Sequence, residues 1–295
     1  MEKISVKHIE LLKAKEITLE FEVDGSRIST FGSGGIVKTL VIPKTIDELK
    51  QVIDTLMGVE YHLLGFSSNS LISDEGVDCI VTTRQVKGFT INGEYLTAAV
   101  GESMHHLATL TAKKGLTGLE FLVGVPATVG GAVAMNAGAF GQEMKDCLSS
   151  VRVYRNGLEQ TLTPMDLKMA YRTTMLNGGI VLEAVFKLKK STVADCLEKI
   201  QSNLEYRRRT QPIEKSLGSV FKRVSGKSAA VYIQQANLKG LNIGGAEVSE
   251  KHCNFIINKG NASSTDYLQL LEKVRSTVYE KYNVRLETEI KYIKD

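Results

Sequence analysis

Apolar residues recur at helical spacing in several stretches of the chain, each bounded by a recognisable start or stop. Thr45-Ile-Asp-Glu48 has the form of a capping box. Ile46, Leu49, Val52, Ile53 and Leu56 follow on one face, so a helix is predicted there. A second is predicted from Ser103 to Lys114, with Gly115 as its C-terminal stop. Leu197, Ile200 and Leu204 predict a third, ending in Arg207-Arg208-Arg209, where cations complement the negative end of the helix dipole. Tyr267, Leu271, Val274 and Val278 predict a fourth, begun at Ser264 or Thr265. Asp24-Gly25, Asn92-Gly93 and Asn156-Gly157 each sit between β-prone runs and have the composition of tight hairpin turns. Antiparallel β-structure mixed with helices is therefore expected over the first two-thirds, an α+β pattern. The character changes near residue 190, where a domain boundary is placed. A softer boundary near residue 86 divides the first part into lobes of about 1–85 and 86–189. No internal repeat or low-complexity linker interrupts the chain.

Composition narrows the class. At 295 residues, 43% hydrophobic and 24% charged, the chain is long enough for two or three lobes with real cores. A net charge of +4 is too small to argue for nucleic acid. The basic residues cluster once, at Arg207–Arg209 with Lys215, Lys222 and Arg223 nearby. Two readings stand side by side: a solvated helix end, or a site for a phosphorylated ligand. The four cysteines (79, 147, 196 and 253) are far apart, with no C-x-x-C, and the five histidines include His105-His106 but no H-E-x-x-H. No metal site is expected. The N-terminus has no apolar signal core, and no apolar run reaches membrane-spanning length. A cytoplasmic protein without membrane or nucleic-acid partners is expected.

The glycines are concentrated in segments with too many small residues for ordinary packing. One is Gly65-Phe-Ser-Ser-Asn-Ser70. The other holds Gly124, Gly130, Gly131, Gly138 and Gly141, with Pro126 and Asn136. Glycine inside regular structure costs about 1 kcal/mol relative to alanine, so such a density needs a compensating reason. A diphosphate supplies one, because it needs backbone N–H groups aimed at it with no side chain in the way. The hydroxyls of Ser67, Ser68, Ser70 and Thr128 add donors. Neither segment fits G-x-G-x-x-G or the Walker pattern, which disfavours a Rossmann or NTPase reading.

From Gly118-Leu-Glu-Phe through Met135-Asn-Ala-Gly-Ala-Phe-Gly141, the chain resembles the UDP-N-acetylenolpyruvoylglucosamine reductases of peptidoglycan synthesis. The resemblance runs from about residue 27 to 293. It implies FAD held by a two-lobed domain of the vanillyl-alcohol-oxidase (PCMH-like) type over 1–189. A C-terminal α+β domain over 190–295 would take the UDP-sugar, in the family's shorter form without an inserted loop. The cofactor-binding residues implied are Gly65, Ser67, Ser68, Asn69 and Ser70 in the first loop. In the second they are Gly124, Val125, Pro126, Thr128, Gly130, Gly131, Ala132, Asn136 and Gly138, and Val181 joins them. The family's first loop usually reads Gly-x-Gly-Ser-Asn; here Ser67 stands at the second glycine.

Further clusters carry the resemblance: Tyr171-Arg172, Gly218-Ser219-Val-Phe-Lys222, Gly244 through Asn258, and Leu286-Glu287-Thr-Glu289. Carried over, the catalytic set is Arg172, Ser219 and Glu289, with Tyr171, Lys222 and Arg223 on the substrate. The family commonly has a proline two residues after that lysine; Lys222-Arg223-Val224 lacks it. The implied reaction uses NADPH to reduce FAD, which then gives hydride to the enolpyruvyl ether of a UDP-sugar. Arg172 would offset charge growing on the pyruvyl carboxylate. Ser219 would protonate the adjacent carbon as general acid. Glu289 in its protonated form would hydrogen-bond the carboxylate. Taken singly, each residue has an ordinary reading as a turn serine, a solvated glutamate or a surface arginine. A flavin oxidase of the same fold, or a non-catalytic paralogue that kept the fold, are the alternatives. A monomer or weak dimer is expected.

Overall fold

The chain passes repeatedly between two compact units, so that each is assembled from separated stretches of sequence. The first comprises Met1–Glu20, Leu40–Phe66 and Ile80–Arg207; the second comprises Phe21–Thr39, Ser67–Cys79 and Arg208–Asp295. The structure, a computed structural model, describes residues 2–295.

Local signals set the helices. The helix Ile46–Thr55 begins where Thr45 Oγ1 accepts the Glu48 N–H at 3.1 Å, and it buries Leu49 and Val52. Glu48 reaches back one residue further than in a capping box, to the Lys44 N–H at 2.8 Å. Met104–Ala112 is capped by Ser103, and Gly115 beyond it has a φ of +67°. Val193–Thr210 runs through the arginines and packs Cys196 and Ile200 against Ala112 and Val123. In the second unit, Ser263 caps Ser264–Tyr282 and Asn283 ends it in the left-handed conformation.

The first unit is built on a five-stranded antiparallel sheet. Its order is Leu158–Leu162, Leu148–Arg155, Ile180–Lys187, Tyr95–Ala99, Phe89–Asn92. Both predicted Asn-Gly turns are hairpin tips: Asn92 pairs Tyr95 and Arg155 pairs Leu158. The short helix Val129–Ala134 lies on Ile180–Lys187. A parallel pair, His62–Leu64 with Ile80–Thr82, leads into the first glycine-rich loop.

The second unit has a four-stranded antiparallel sheet, ordered Ser216–Ser219, Phe255–Asn258, Ala246–Val248, Asn242–Ile243. Ala229–Gln235 and Ser264–Tyr282 pack with it around Ile233, Ile256, Leu270 and Val274. Phe31 meets Tyr267 edge-on at 4.9 Å between ring centroids. Ser70–Ile72 pairs in parallel with Lys291–Ile293.

Asp24-Gly25 is not a hairpin tip. Asp24 accepts the Ser26 N–H at 2.9 Å and caps a short 3-10 turn, Gly25–Arg27; the next strand starts only at Ile36. Gly25 is needed there for close approach, since a Cβ would lie 2.4 Å from the Gly35 carbonyl oxygen. Asp-Gly suits an N-cap as well as a turn, and its tertiary surroundings decided between them.

Candidate active site

In the first unit the two glycine-rich segments meet. The Thr128 side chain, which caps Val129–Ala134 by accepting the Gly131 N–H at 3.2 Å, lies against Gly65; a Cβ on Gly65 would sit 2.4 Å from Thr128 Oγ1. Gly130 donates to the Val100 carbonyl at 2.9 Å, and a Cβ there would reach 2.4 Å from Val100 Cγ2. Missing side chains therefore let these segments close on their protein neighbours. Arg84 holds the carbonyls of Gly65 and Phe66 at 2.9 and 3.0 Å. Arg84 and Lys87 also approach the Phe66 ring, 5.9 and 5.8 Å from its centroid. Burial pulls both cations below their ordinary pKa, with Glu102 partly opposing this at Lys87.

The start of the second segment is open. Gly124 and Pro126 are exposed and Val125 half-buried. Gly124 has a φ of +72° and donates its N–H to His105 Nδ1 at 3.0 Å. The arginine run divides. Arg207 packs against Gly124 and lies 5.6 Å from the Phe140 ring centroid, and burial lowers its pKa, whereas Arg208 and Arg209 are exposed. Ala132 and Val181 are buried.

Asn136 is fully buried, and its side chain is engaged by protein. It donates to the Ala170 carbonyl at 2.9 Å and to Glu143 at 3.0 Å, and accepts from Lys145 N–H at 3.0 Å. This amide fastens the second segment to the turn bearing Tyr171 and Arg172. Thr174 donates to the Val133 carbonyl at 2.6 Å, and Arg172 reaches the Gly138 carbonyl at 3.4 Å. Arg172 has a φ of +54° and its guanidinium lies 5.0 Å from the Tyr171 ring centroid. Lys145 and the Asn136 amide hold the Glu143 carboxyl below the ordinary glutamate range, with Arg172 a lesser contributor.

In the second unit Ser219, Lys222 and Glu289 are brought together through the main chain, although some 70 residues separate the first from the last. Ser219 ends a strand opposite Phe255, after Gly218 at a φ of +78°. Beyond it the chain runs beside 287–289: Glu289 N–H donates to the Val220 carbonyl and Lys222 N–H to the Glu287 carbonyl, both at 2.8 Å. Lys222 Nζ lies 3.3 Å from the exposed Glu287 carboxylate, a weak, solvent-screened tie. On the other flank Asn254, 4% exposed, accepts the Phe221 N–H at 3.0 Å and donates to the Phe221 carbonyl at 2.9 Å; its own carbonyl takes the Val220 N–H at 2.8 Å. Exposed Arg223 leads into a turn in which Val224 and Lys227 exchange hydrogen bonds of 2.9 Å, so the turn is ordered without the proline.

Of the remaining loop residues, Ser68 and Asn69 are half-buried and Ser70 is buried. Ser67 has a φ of +56°, the left-handed conformation that glycine adopts freely and serine at a cost of about 1 kcal/mol. Its Oγ is buried with no hydrogen-bond partner among the described residues. A buried hydroxyl left unpaired costs about 1–3 kcal/mol, so a group supplied by a ligand accounts for it. On that observation the loop fits a cofactor diphosphate.

Comparison with known proteins agrees. Residues 37–158 match a family described as FAD binding domain. Residues 211–293 match the C-terminal domain of UDP-N-acetylenolpyruvoylglucosamine reductase. The class is an α+β, FAD-dependent oxidoreductase. The chain is 38% identical over 274 residues to the UDP-N-acetylenolpyruvoylglucosamine reductase of Bacillus subtilis, covering 90% of each. With that of Lactobacillus acidophilus it shares 37% over 289 residues, 96% of this chain and 97% of the relative. The crystal structure of the Thermus caldophilus reductase superposes with a TM-score of 0.80 at 34% identity, covering 94% of this chain and 98% of that one. The chain belongs to the UDP-N-acetylenolpyruvoylglucosamine reductase family. The oxidase alternative is not favoured, because the C-terminal match is to the reductase's own domain.

Arg84 and His105 lie outside the residues the sequence assigns to the site: Arg84 has no local signal, and His105 enters the sequence reading only in the search for metal ligands. Asn254 falls in the Gly244–Asn258 stretch that carries the resemblance, but its clamp on Phe221 has no local signal. Among the described residues no cluster suited to a metal ion occurs, and no helix is long and apolar enough to cross a membrane.

Proposed function

We propose that this chain reduces the enolpyruvyl ether of UDP-N-acetylglucosamine enolpyruvate to UDP-N-acetylmuramate, drawing on NADPH through FAD in peptidoglycan precursor synthesis. The observation that carries this reading is the ladder holding Ser219–Lys222 beside Glu287–Glu289 in a chain of this family. It sets a hydroxyl, a cation and a carboxyl on one fixed frame. Residues 1–189 would serve the flavin and 190–295 the UDP-sugar, in a cytoplasmic monomer or weak dimer.

The terminal enolpyruvyl carbon would receive its hydride from FAD, when bound and reduced by NADPH. The carboxylate end of the substrate then gains negative charge, and the Arg172 guanidinium, always charged, offsets it. The left-handed backbone and the Tyr171 ring pre-set that side chain, which lowers the cost of fixing it later. Ser219 Oγ–H gives its proton to the adjacent carbon, and its oxygen regains one from solvent. Gly218 supplies the positive φ that turns the chain just before this hydroxyl. Glu289 hydrogen-bonds the substrate carboxylate, and Lys222, with Tyr171 and Arg223, engages the diphosphate-bearing end. Ser67 offers its unpaired hydroxyl to the cofactor diphosphate from the Gly65–Ser70 loop.

Purified protein should show flavin absorbance and turn over NADPH, beyond the single equivalent that reduces its flavin, only when the enolpyruvyl UDP-sugar is present. Protein that binds FAD but oxidises NADPH equally without the sugar would falsify the assignment.

A further inference from the structure

Asn69 lies in the loop expected to touch the cofactor, yet its side-chain amide is directed to a different partner. Nδ2 donates to the backbone carbonyl of Glu289 at 2.9 Å. The Asn69 carbonyl accepts the Lys291 N–H at 3.0 Å, and from there Ser70–Ile72 and Lys291–Ile293 run as a parallel pair. On the opposite side the Glu289 N–H is taken by the Val220 carbonyl at 2.8 Å, one residue from Ser219. Thr288 Oγ1 adds a 3.2 Å bond to that same carbonyl. Both polar groups of the Glu289 main chain are therefore held, one by the segment that carries Ser219 and the other by Asn69. The amide can be removed by substitution while the main-chain ladder stays in place.

We propose that Asn69 is a positioning residue for Glu289: its amide fixes the Glu289 peptide and so the direction in which the carboxyl is presented to the substrate. This rests on the reading of Glu289 as the group that hydrogen-bonds the substrate carboxylate. It links a loop within the FAD-binding match to a substrate-side group by one hydrogen bond. A positioning role acts on the half-reaction that uses Glu289, whereas a cofactor ligand acts on flavin affinity.

The test uses holoenzyme carrying Asn69→Ala, Glu289→Gln or both. FAD affinity is measured by fluorescence titration, flavin reduction by stopped-flow mixing with NADPH, and reoxidation by mixing with the enolpyruvyl UDP-sugar. In Asn69→Ala, FAD affinity and NADPH-driven reduction are expected within about threefold of the parent. Reoxidation is expected to slow about tenfold, the effect of one hydrogen bond. Added to Glu289→Gln, the same substitution should cost less than about threefold more, because both act through one carboxyl. A tenfold loss of FAD affinity, unchanged reoxidation, or a full additional tenfold in the Glu289→Gln background each overturns the proposal. If Asn69→Ala fails to fold, Asn69→Asp, which keeps the shape and removes the donor, is judged by the same criteria. Wild-type reoxidation in Glu289→Ala, which unlike Glu289→Gln keeps no donor, removes the reading of Glu289 itself. Slow Glu289→Gln with normal Asn69→Ala removes only the role of Asn69.

Discussion

The two units present their candidate functional groups by opposite means. In the first, around Gly65 and Gly124–Gly138, small residues predominate and close approach is possible because side chains are absent. In the second, Ser219, Lys222 and Glu289 are chemical groups on long-range main-chain hydrogen bonds, with the Asn254 amide as a clamp. A surface that cradles a diphosphate needs exposed N–H groups and few protrusions. A surface that moves a proton needs one atom held to within a fraction of an ångström. The difference teaches that substitutions in the two units should fail differently: added bulk harms the first, and lost polar atoms harm the second.

The largest expected effect is on Ser219. Ser219→Ala should slow flavin reoxidation by the UDP-sugar about a thousandfold while leaving reduction by NADPH near the parent rate. Equal slowing of both half-reactions in stopped-flow traces would place Ser219 in binding rather than proton transfer and blur the contrast between the units. Next is Asn254→Ala, which leaves both main-chain groups of buried Phe221 without their partner. A loss of about 2–3 kcal/mol in urea unfolding is expected, with reoxidation impaired and FAD affinity retained. Stability within 0.5 kcal/mol of the parent, a roughly neutral surface-type result, would show the clamp to be dispensable.

Gly130→Ala sharpens the comparison from the other side. The new methyl meets Val100 Cγ2, so overpacking should outweigh the better helix propensity by about 1–2 kcal/mol. Thermal unfolding without FAD checks this, and a stabilised variant would mean that Gly130 answers only to the ligand. The smallest effect is at Ser67. Ser67→Ala removes an unpaired buried hydroxyl, so protein without FAD should keep or slightly raise its Tm, while FAD affinity falls about fivefold. Reduced stability together with unchanged FAD affinity would show that the hydroxyl serves the fold.

Local patterning was enough for four of the seven described α-helices; Val6–Ala14, Val129–Ala134 and Ala229–Gln235 are not predicted by it. Thr45, Ser103 and the stretch around Ser263 carry their own start signals, and Asn92-Gly93 and Asn156-Gly157 form the turns their φ preferences favour. It was also enough to mark the glycine segments, because several glycines in one span are unfavourable without a reason. Asp24-Gly25 defeated the same logic, since an N-cap and a hairpin tip share one composition. Arg84, and the task of Asn254 within its family stretch, were invisible because these side chains serve backbone groups 18 and 33 residues away, and such a bond leaves no period in the chain. Asn136 was legible as part of the segment but not in its task, which is to bind the Arg172 turn.

Residue types therefore sufficed for four helices, two of the three turns and the need for a phosphate-bearing ligand, which follow from short-range preferences or from glycine's missing side chain; the flavin and the family came from the resemblance of whole motifs. Long-range contacts settled the rest: Ser67 as a strained, unpaired hydroxyl, Asn69 bonded to Glu289, and Ser219 set beside Glu289 across about 70 residues. The reason is physical. A hydrogen bond between distant segments depends on how every intervening element packs, and no window of neighbouring residues contains that information.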